Sequence, residues 1–215
     1  TTGLNPEKDK CIEVGVILFS ISNRAVLAQQ SFLLPSSSNK AELINKIPVA
    51  LSKIPQPIAE ALVYLEALIN CSDLIVAHNS DFDKQWFGKD SLPAINKPWI
   101  CTMDDIGWPR ELHLKIRPSV RDLALAYGVP VWNAHRALTD CIYIAEVFRR
   151  CEDLEELIIK GLEPKSLYKA EISYDQRKLA KEAGFRWNDP VKGAWTRKLS
   201  NQDAIELPFK VKVIS

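Results

Sequence analysis

His135-Arg136-Ala137-Leu138-Thr139-Asp140 is the stretch on which the predicted fold depends. From Ala137 to Phe148 the apolar residues recur at helical spacing, which predicts a helix. Its core-facing stripe is expected to hold Ala137, Cys141, Ile144, Ala145 and Phe148. The opposite face is expected to hold Thr139, Tyr143, Glu146 and Arg150. Asp140 lies at the border of the stripe, so its carboxylate is expected to face a cleft, with His135 on the loop just before the helix.

A histidine five residues before an acid is a weak signal alone, and a surface histidine beside an exposed helical acid explains it equally well. Two other stretches make the pattern specific: Thr1-Thr2-Gly3-Leu4-Asn5-Pro6 and Ala77-His78-Asn79-Ser80-Asp81-Phe82-Asp83. In this order and spacing, the three stretches resemble the DnaQ-like 3′-5′ exonucleases of the DEDDh type. That family includes the proofreading epsilon subunit of bacterial DNA polymerase III. The resemblance covers roughly residues 1–150.

The order of the predicted elements indicates an α/β fold. Two strand-like stretches, 11–20 and 26–34, are joined by a short turn and predict a hairpin. After them, predicted helices alternate with short apolar strands near 73–77 and 99–103, which indicates a sheet of mixed direction. The resemblance implies that this is a ribonuclease H-like mixed sheet flanked by helices.

We expect three segments along the chain. Residues 1–150 would form an N-terminally truncated DnaQ-like exonuclease domain, and residues 151–164 a linker helix. Residues 165–215 would form a small basic α+β appendage. From residue 164 onward, 11 Lys and Arg face 6 Asp and Glu, whereas the preceding residues are net acidic.

Composition is typical of a globular protein, with 47% hydrophobic and 26% charged residues and a net charge of +1. No apolar run is long enough for a membrane span, so no membrane partner is expected. The five cysteines, Cys11, Cys71, Cys101, Cys141 and Cys151, include no C-x-x-C pair. This spacing favours reduced, buried thiols in a cytoplasmic protein over a zinc site or a disulfide framework.

The chemistry follows from the resemblance. Hydrolysis of a phosphodiester requires a nucleophile and stabilisation of charge on the phosphoryl oxygens, and two divalent ions held by carboxylates supply both. The family uses four acids and one histidine. Asp83 and Asp140 match the acids of its second and third motifs and would bind Mg²⁺ or Mn²⁺. His135 matches the general base, a role that suits a side chain titrating near neutral pH.

The family's other two acids form a D-x-E motif directly before T-T-G, and they are not in this sequence, which begins at Thr1. Asp9 and Glu13 are not expected to replace them, because they follow the T-T-G turn. We therefore expect the 215 residues alone to be inactive, as a fragment of a protein that carries the acids. The alternative is a natural degenerate homologue that binds without cutting.

Several residues are expected to contact the terminal nucleotide, as the resemblance implies: Thr1, Thr2, Gly3, Asn45, Ile47, His78, Asn79 and Phe82. Thr1, Thr2 and Gly3 would form a turn whose backbone meets the nucleotide. Ile47 would be wedged beside the terminal base, although a simple core position is the alternative. His78 would orient the backbone near the 3′ end, although a structural histidine at a strand end explains it nearly as well.

Two functions remain open at this point. The first is a metal-dependent 3′-5′ exonuclease that hydrolyses single-stranded DNA or RNA, with DNA favoured, to nucleoside 5′-monophosphates. The second is a catalytically inactive module of the same fold that binds nucleic acid or a protein partner. A DNA polymerase subunit is a further partner that the resemblance suggests. The basic residues and aromatics of the last segment are expected either to hold the strand or to form a small packed core of their own.

Overall fold

The computed structural model describes residues 1–132 and 135–214. The chain begins with an antiparallel hairpin of β1 (Glu13–Ser20) and β2 (Ala25–Leu33), in which Glu13 lies opposite Leu33 and Ser20 opposite Ala25. β-branched and apolar residues dominate β1, and they fit the pleated, half-buried surface of a strand. The predicted hairpin is therefore present, with its first strand beginning two residues later than expected.

A second, parallel pair consists of β3 (Ile75–Ala77) and β4 (Trp99–Cys101), with Ile75 opposite Trp99. The α/β class and the mixture of strand directions are confirmed. The expected single sheet is not continuous, because the described residues form two separate two-stranded sheets in this region. No strand among the described residues lies between β1 and β3 to join them.

Helices flank these strands: α1 (Glu42–Asn45), α2 (Val49–Ser52), α3 (Ile58–Cys71), α4 (Ser80–Lys84), α5 (Val120–Ala126) and α6 (Ala137–Arg150). A capping box starts α5. Ser119 Oγ accepts from the Asp122 amide at 3.1 Å, and the Asp122 carboxylate accepts from the Ser119 amide at 3.2 Å. A 3-10 turn, Arg110–Leu112, precedes this helix.

The long helix α6 is buried on two sides, which corrects the expected orientation of one residue. Tyr143, expected on the outer face, is only 1% exposed, and it packs with Val147 in the core between α6 and α5. Its hydroxyl accepts from the Trp132 amide at 2.9 Å. The periodicity predicted one apolar stripe, but α6 contacts both β1 and α5, so a second face is buried as well.

α6 also approaches β1 very closely at Gly15. A Cβ at this position would lie 2.2 Å from the Leu138 amide nitrogen and 2.5 Å from the Ala137 carbonyl carbon, both backbone atoms. Only glycine permits this approach. The first residues of α6 are thereby set directly against the hairpin.

The last part of the chain begins with α7 (Leu154–Gly161) and continues as an antiparallel sheet in the order β6-β7-β5-β8. Its strands are β5 (Ser166–Ala170), β6 (Arg186–Trp187), β7 (Trp195–Leu199) and β8 (Val211–Val213). A 3-10 turn, Tyr174–Gln176, leads into α8 (Arg177–Glu182), and α9 (Asn201–Ile205) follows β7. We call residues 166–214 the C-terminal region; where the domain boundaries fall stays a prediction.

One face of this sheet forms a small core of its own, made of Tyr168, Ala170, Ala180, Phe185 and Leu199. Lys165, directly before the C-terminal region, pairs with Asp105, with 2.6 Å between Nζ and Oδ1. α9 was not predicted; Ser200 caps it by accepting from the Asp203 amide at 3.2 Å. Within the described residues, no helix is both long and apolar enough to cross a membrane.

Candidate active site

The Thr1–Gly3 turn folds back on the residues that follow it. The Thr2 amide donates to the Lys10 carbonyl at 2.8 Å, and the Lys10 amide donates to Thr2 Oγ1 at 2.9 Å. A Cβ on Gly3 would lie 2.3 Å from Asp9 Oδ2, so glycine is needed for Asp9 to close the turn. Thr2 is only 3% exposed. The backbone of the turn is thus held rigidly, as a surface that positions a ligand requires.

Asn45 ties this turn to α1. Its Nδ2 donates to the Thr1 carbonyl at 3.1 Å, while its Oδ1 accepts from the Ile47 amide at 3.0 Å. Asn45 is 7% exposed and Ile47 is fully buried. The structure therefore brings Thr1 and Asn45 together, as predicted for neighbours in one site. It leaves Ile47 no exposed surface for a base, so the predicted wedge role requires its neighbours to move aside.

Three other apolar side chains near the turn are exposed: Leu4 at 81%, Leu43 at 84% and Ile44 at 59%. Leu43 and Ile44 belong to α1, the helix that Asn45 joins to Thr1. Sequence reasoning missed all three. Leu4 was the available signal, because a leucine directly after the T-T-G turn belongs to no strand or helix pattern that would account for it.

Asp83 is held by α4, which begins one residue after Asn79. Asn79 takes the left-handed conformation, with φ 71°, and its carbonyl accepts from the Phe82 amide at 2.8 Å. Phe82 is half-buried and packs edge-on against Trp86, with 5.6 Å between the ring centres. Burial raises the pKa of Asp83 to about 7.

His78 follows β3 and contacts the neighbouring strand. Its Nδ1 lies 2.8 Å from Thr102 Oγ1, and Thr102 is fully buried directly after β4. Burial lowers the pKa of His78 below its usual value. This contact ties the ends of β3 and β4 together and agrees with the structural alternative; a role near the 3′ end stays a prediction.

Asp140 and His135 lie together at the start of α6. His135 is exposed and has a left-handed backbone, with φ 67°. Burial raises the pKa of Asp140, while a hydrogen bond from the His135 backbone and the charge of His135 lower it. The loop histidine and the helical acid thus meet at one place, as the sequence predicts.

Glu13, on β1, fixes the start of this helix. Its carboxylate accepts from Arg136 Nη2 at 2.6 Å, from Arg136 Nε at 2.9 Å and from the Ala137 amide at 2.9 Å. The Glu13 side chain is only 6% exposed. These bonds occupy both carboxylate oxygens, so Glu13 positions the His135 loop and is not free to act as a ligand. No sequence spacing revealed this pair, because its members belong to distant stretches.

The thiol of Cys141, on α6, donates to the Gly15 carbonyl at 3.4 Å. Burial raises the pKa of Cys141 to about 12, and the negative charges of Asp83, Asp140 and Glu13 contribute in the same direction. Asp83 and Asp140, from separate motifs, are therefore near enough to share an electrostatic environment. The cysteines are free thiols, although Cys71 is exposed, contrary to the expectation that all five are buried.

The donor chemistry of this site fits a hard divalent cation only in part. Two half-buried carboxylates, one with its pKa raised to about 7, are stabilised in their charged form by a nearby cation. Across residues 1–132 and 135–214, however, no group of three or more His, Cys, Asp and Glu side chains is placed to hold a metal ion. The described residues therefore do not form a complete two-metal centre.

Residues 1–148 match the model of a family described as exonuclease (RNase_T), and residues 166–214 match a domain of unknown function (DUF8626). Two similar proteins are the PolC-type DNA polymerase III of Thermotoga maritima, 29% identical over 81% of this chain, and that of Thermotoga petrophila, 28% identical over 74%. The matched parts are 13% and 12% of those polymerases, so the chain spans a small fraction of their length.

A solved structure with a similar fold is that of Exonuclease X in complex with 5′ overhanging duplex DNA. Its TM-score is 0.55 at 23% sequence identity, and the match covers 75% of this chain and 95% of that chain. This likeness confirms the expected ribonuclease H-like fold.

Proposed function

The chain belongs to the exonuclease family, and we propose that this protein hydrolyses single-stranded nucleic acid from the 3′ end to nucleoside 5′-monophosphates, with DNA preferred over RNA. What supports the proposal is that the charges of Asp83, on α4, and Asp140, on α6, both raise the pKa of the Cys141 thiol, and that the His135 backbone bonds to Asp140. A carboxylate pair next to an exposed imidazole is what metal-dependent hydrolysis with a general base requires.

Each residue has a distinct proposed role. His135, exposed on its loop, takes the proton from the attacking water, while Asp140 and the Glu13–Arg136 pair hold that loop in place. Asp83 and Asp140 would bind two divalent ions, Mg²⁺ or Mn²⁺, together with the D-x-E acids of the family motif. Such ions would supply charge stabilisation at the phosphoryl oxygens.

The terminal nucleotide would lie on the Thr1–Gly3 turn. Thr1, Thr2 and Gly3 present a fixed backbone there, and Asn45 joins α1 to it. Leu4, Leu43 and Ile44 supply exposed apolar surface beside the turn, which suits sequence-tolerant contact with a base. Ile47, His78, Asn79 and Phe82 would support this surface from behind.

A binding module without activity is the second candidate, favoured by the lack of a three-residue metal-holding group among the described residues. A polymerase partner is a further proposal. It is motivated by the PolC-type relatives, of which the chain resembles only 13%.

The test compares the 215 residues with a longer chain that carries D-x-E directly before Thr1. Both would be incubated with Mg²⁺ or Mn²⁺ and with 5′-labelled single strands of DNA and RNA of one sequence, free or blocked at the 3′ end. We expect stepwise shortening of the labelled strands only with the longer chain, only from free 3′ ends, and faster on DNA.

Two variants of the longer chain complete the design. Asp140→Asn should abolish release, whereas Glu146→Gln, a matched acid on α6 that pairs with Arg149 and Arg150, should not change it. Metal-dependent release by the 215 residues alone would contradict the need for the D-x-E acids. Strand binding without release by the longer chain would establish the binding module instead.

A further inference from the structure

One face of the C-terminal sheet carries several exposed cations, among them Arg186 of β6, which pairs with Asp189, together with Leu167 and the exposed acid Glu171. Lys169 on β5 lies directly opposite Lys212 on β8, and on its other side lies Thr196 of β7. Side chains alternate along a strand, so Lys198 and Lys210 share this face, and Tyr168 and Ala170 point to the core on the other side. We call Lys169, Lys198, Lys210 and Lys212 the basic face.

The charges of the basic face are largely unbalanced. Among the described residues, Lys169, Lys210 and Lys212 form no salt bridge, and all three are exposed. Like charges directly opposite on neighbouring strands destabilise a sheet. Glu171 is the acid that shares this face, and it is not within ion-pair distance of these lysines. The unbalanced pair of Lys169 and Lys212 is what a surface that binds an anion would present.

Base stacking is not available on this face. Trp187 lies opposite Trp195, the residue directly before Thr196. Because side chains alternate along a strand, both tryptophans lie on the side of the sheet away from the basic face. Phe185 is 2% exposed and lies in the small core, as the packed-core alternative expects, whereas Trp187 is 51% exposed. A ligand of the basic face therefore meets ammonium groups and the Arg186 guanidinium group but no aromatic rings, which suits phosphates.

The basic face adjoins the candidate active site. Lys198 Nζ lies 3.7 Å from Asp81 Oδ2 on α4, the helix that also carries Asp83. A Cβ on Gly184 would lie 2.7 Å from Ile116 Cγ2, so the C-terminal region is packed directly against the part of the chain that precedes it, which we call the first region (residues 1–165). A strand that ends at Asp83 and Asp140 can therefore continue past α4 onto the basic face.

We propose that the basic face binds the sugar-phosphate backbone of the single strand whose 3′ end occupies the active site, several nucleotides away from that end. The proposal rests on the proposed function for the identity of the strand. The contact is electrostatic, independent of sequence, and supplied by lysines from three strands of the sheet. It increases the affinity for long strands and leaves the chemistry at the terminal nucleotide unchanged.

The test uses the whole 215-residue chain without divalent cations, so that binding is measured apart from catalysis. The double variant Lys169→Gln/Lys212→Gln is compared with Lys178→Gln/Lys181→Gln, which removes two exposed charges from α8 on the opposite side of the sheet. Affinities for oligothymidylates of about 4 and about 16 nucleotides are measured by fluorescence anisotropy across a salt series.

We expect the first double variant to lose several-fold affinity for the long strand and none for the short one. Its log–log salt slope should become shallower by about 1.4, as expected for two lost phosphate contacts on a single strand. The α8 variant should match the unmodified chain.

Equal losses in both double variants, equal losses for both lengths, or no loss at all would each overturn the proposal. Because no step of this test depends on hydrolysis, its outcome is separate from that of the proposed activity. If the longer chain proves inactive while the length-dependent loss is observed, strand binding by the basic face is supported and the proposed exonuclease activity is contradicted.

Discussion

The charged side chains that matter most differ in sign and in exposure between the first region and the C-terminal region. In the first, the carboxylates of Asp83 and Asp140 are buried enough for their pKa values to rise, that of Asp83 to about 7. In the second, Lys169 and Lys212 stand exposed on an open sheet. The energy of a buried charge depends strongly on its immediate surroundings. An exposed charge instead attracts ions of opposite sign over about one Debye length, with little dependence on detailed geometry. The difference suits chemistry at one place and attraction over a surface at the other.

The largest effect is expected at His135 in a chain that carries the D-x-E acids. His135→Ala should reduce kcat by about 10²–10⁴-fold, because the group that accepts the proton is lost, while the dissociation constant for a single strand changes little. Single-turnover rates and equilibrium binding measure the two quantities separately.

The matched control is His113→Ala. His113 is also exposed and also left-handed, with φ 48°, but it follows the 3-10 turn Arg110–Leu112, outside the site. His113→Ala should leave kcat unchanged, because His113 shares the left-handed backbone of His135 but lies outside the site. Equal rates for the His135 variant and the unmodified chain would show that the imidazole serves only structure.

The next effect concerns stability and pH. Burial raises the pKa of Asp83 from 3.8 to about 7 in the folded chain, so the folded state holds this proton more tightly than the unfolded state. Stability from this group is therefore greatest below pH ~4 and is lost as the pH rises towards ~7, by roughly 4 kcal/mol at most. Urea unfolding from pH 4 to 8 without divalent cations measures it.

Asp83→Asn removes the titrating group and should flatten this part of the curve. The difference between the variant and the unmodified chain isolates Asp83 from other groups that titrate in the same range. Asp175→Asn, an exposed acid of the C-terminal region, should reproduce the unmodified curve. Parallel curves for Asp83→Asn and the unmodified chain would place Asp83 in contact with solvent.

The smallest effect is expected on the basic face. Lys212→Gln should raise the free energy of unfolding by no more than about 0.5 kcal/mol, because it relieves the repulsion with Lys169. The gain should disappear at high salt, where exposed charges are screened. Thermal unfolding at low and high salt measures it. A loss of stability would show instead that the Lys212 stem packs on the sheet.

Local patterns predicted most elements of the fold. The hairpin and α6 follow from alternation and helical periodicity, and their ends differ from prediction by one or two residues. Tyr143 was misplaced because periodicity identifies one buried face and cannot show that a second element, here α5, covers another. α9 was missed since five residues are too short to display a period.

The candidate site was predictable through its motifs and only partly through physics. Asp83, Asp140 and His135 were identified from the resemblance of their motifs to those of a known family; in the structure the charges of both acids raise the pKa of Cys141. Glu13 could not be recognised as the residue that holds α6, because its bonds to Arg136 join stretches that are remote in sequence. The burial of Ile47 and the exposure of Leu43 depend on how α1 packs, which no local pattern records.

The left-handed conformations of Asn79 and His135, with φ 71° and 67°, imply a conflict between durability and activity. Glycine adopts this conformation without the steric cost of a Cβ, which is of order 1 kcal/mol for other residues. A selection for heat resistance alone would therefore favour glycine at position 135 and would discard the imidazole. Under the general-base role proposed for His135, variants selected for thermal stability alone are expected to lose the proposed hydrolysis, because glycine would replace the imidazole.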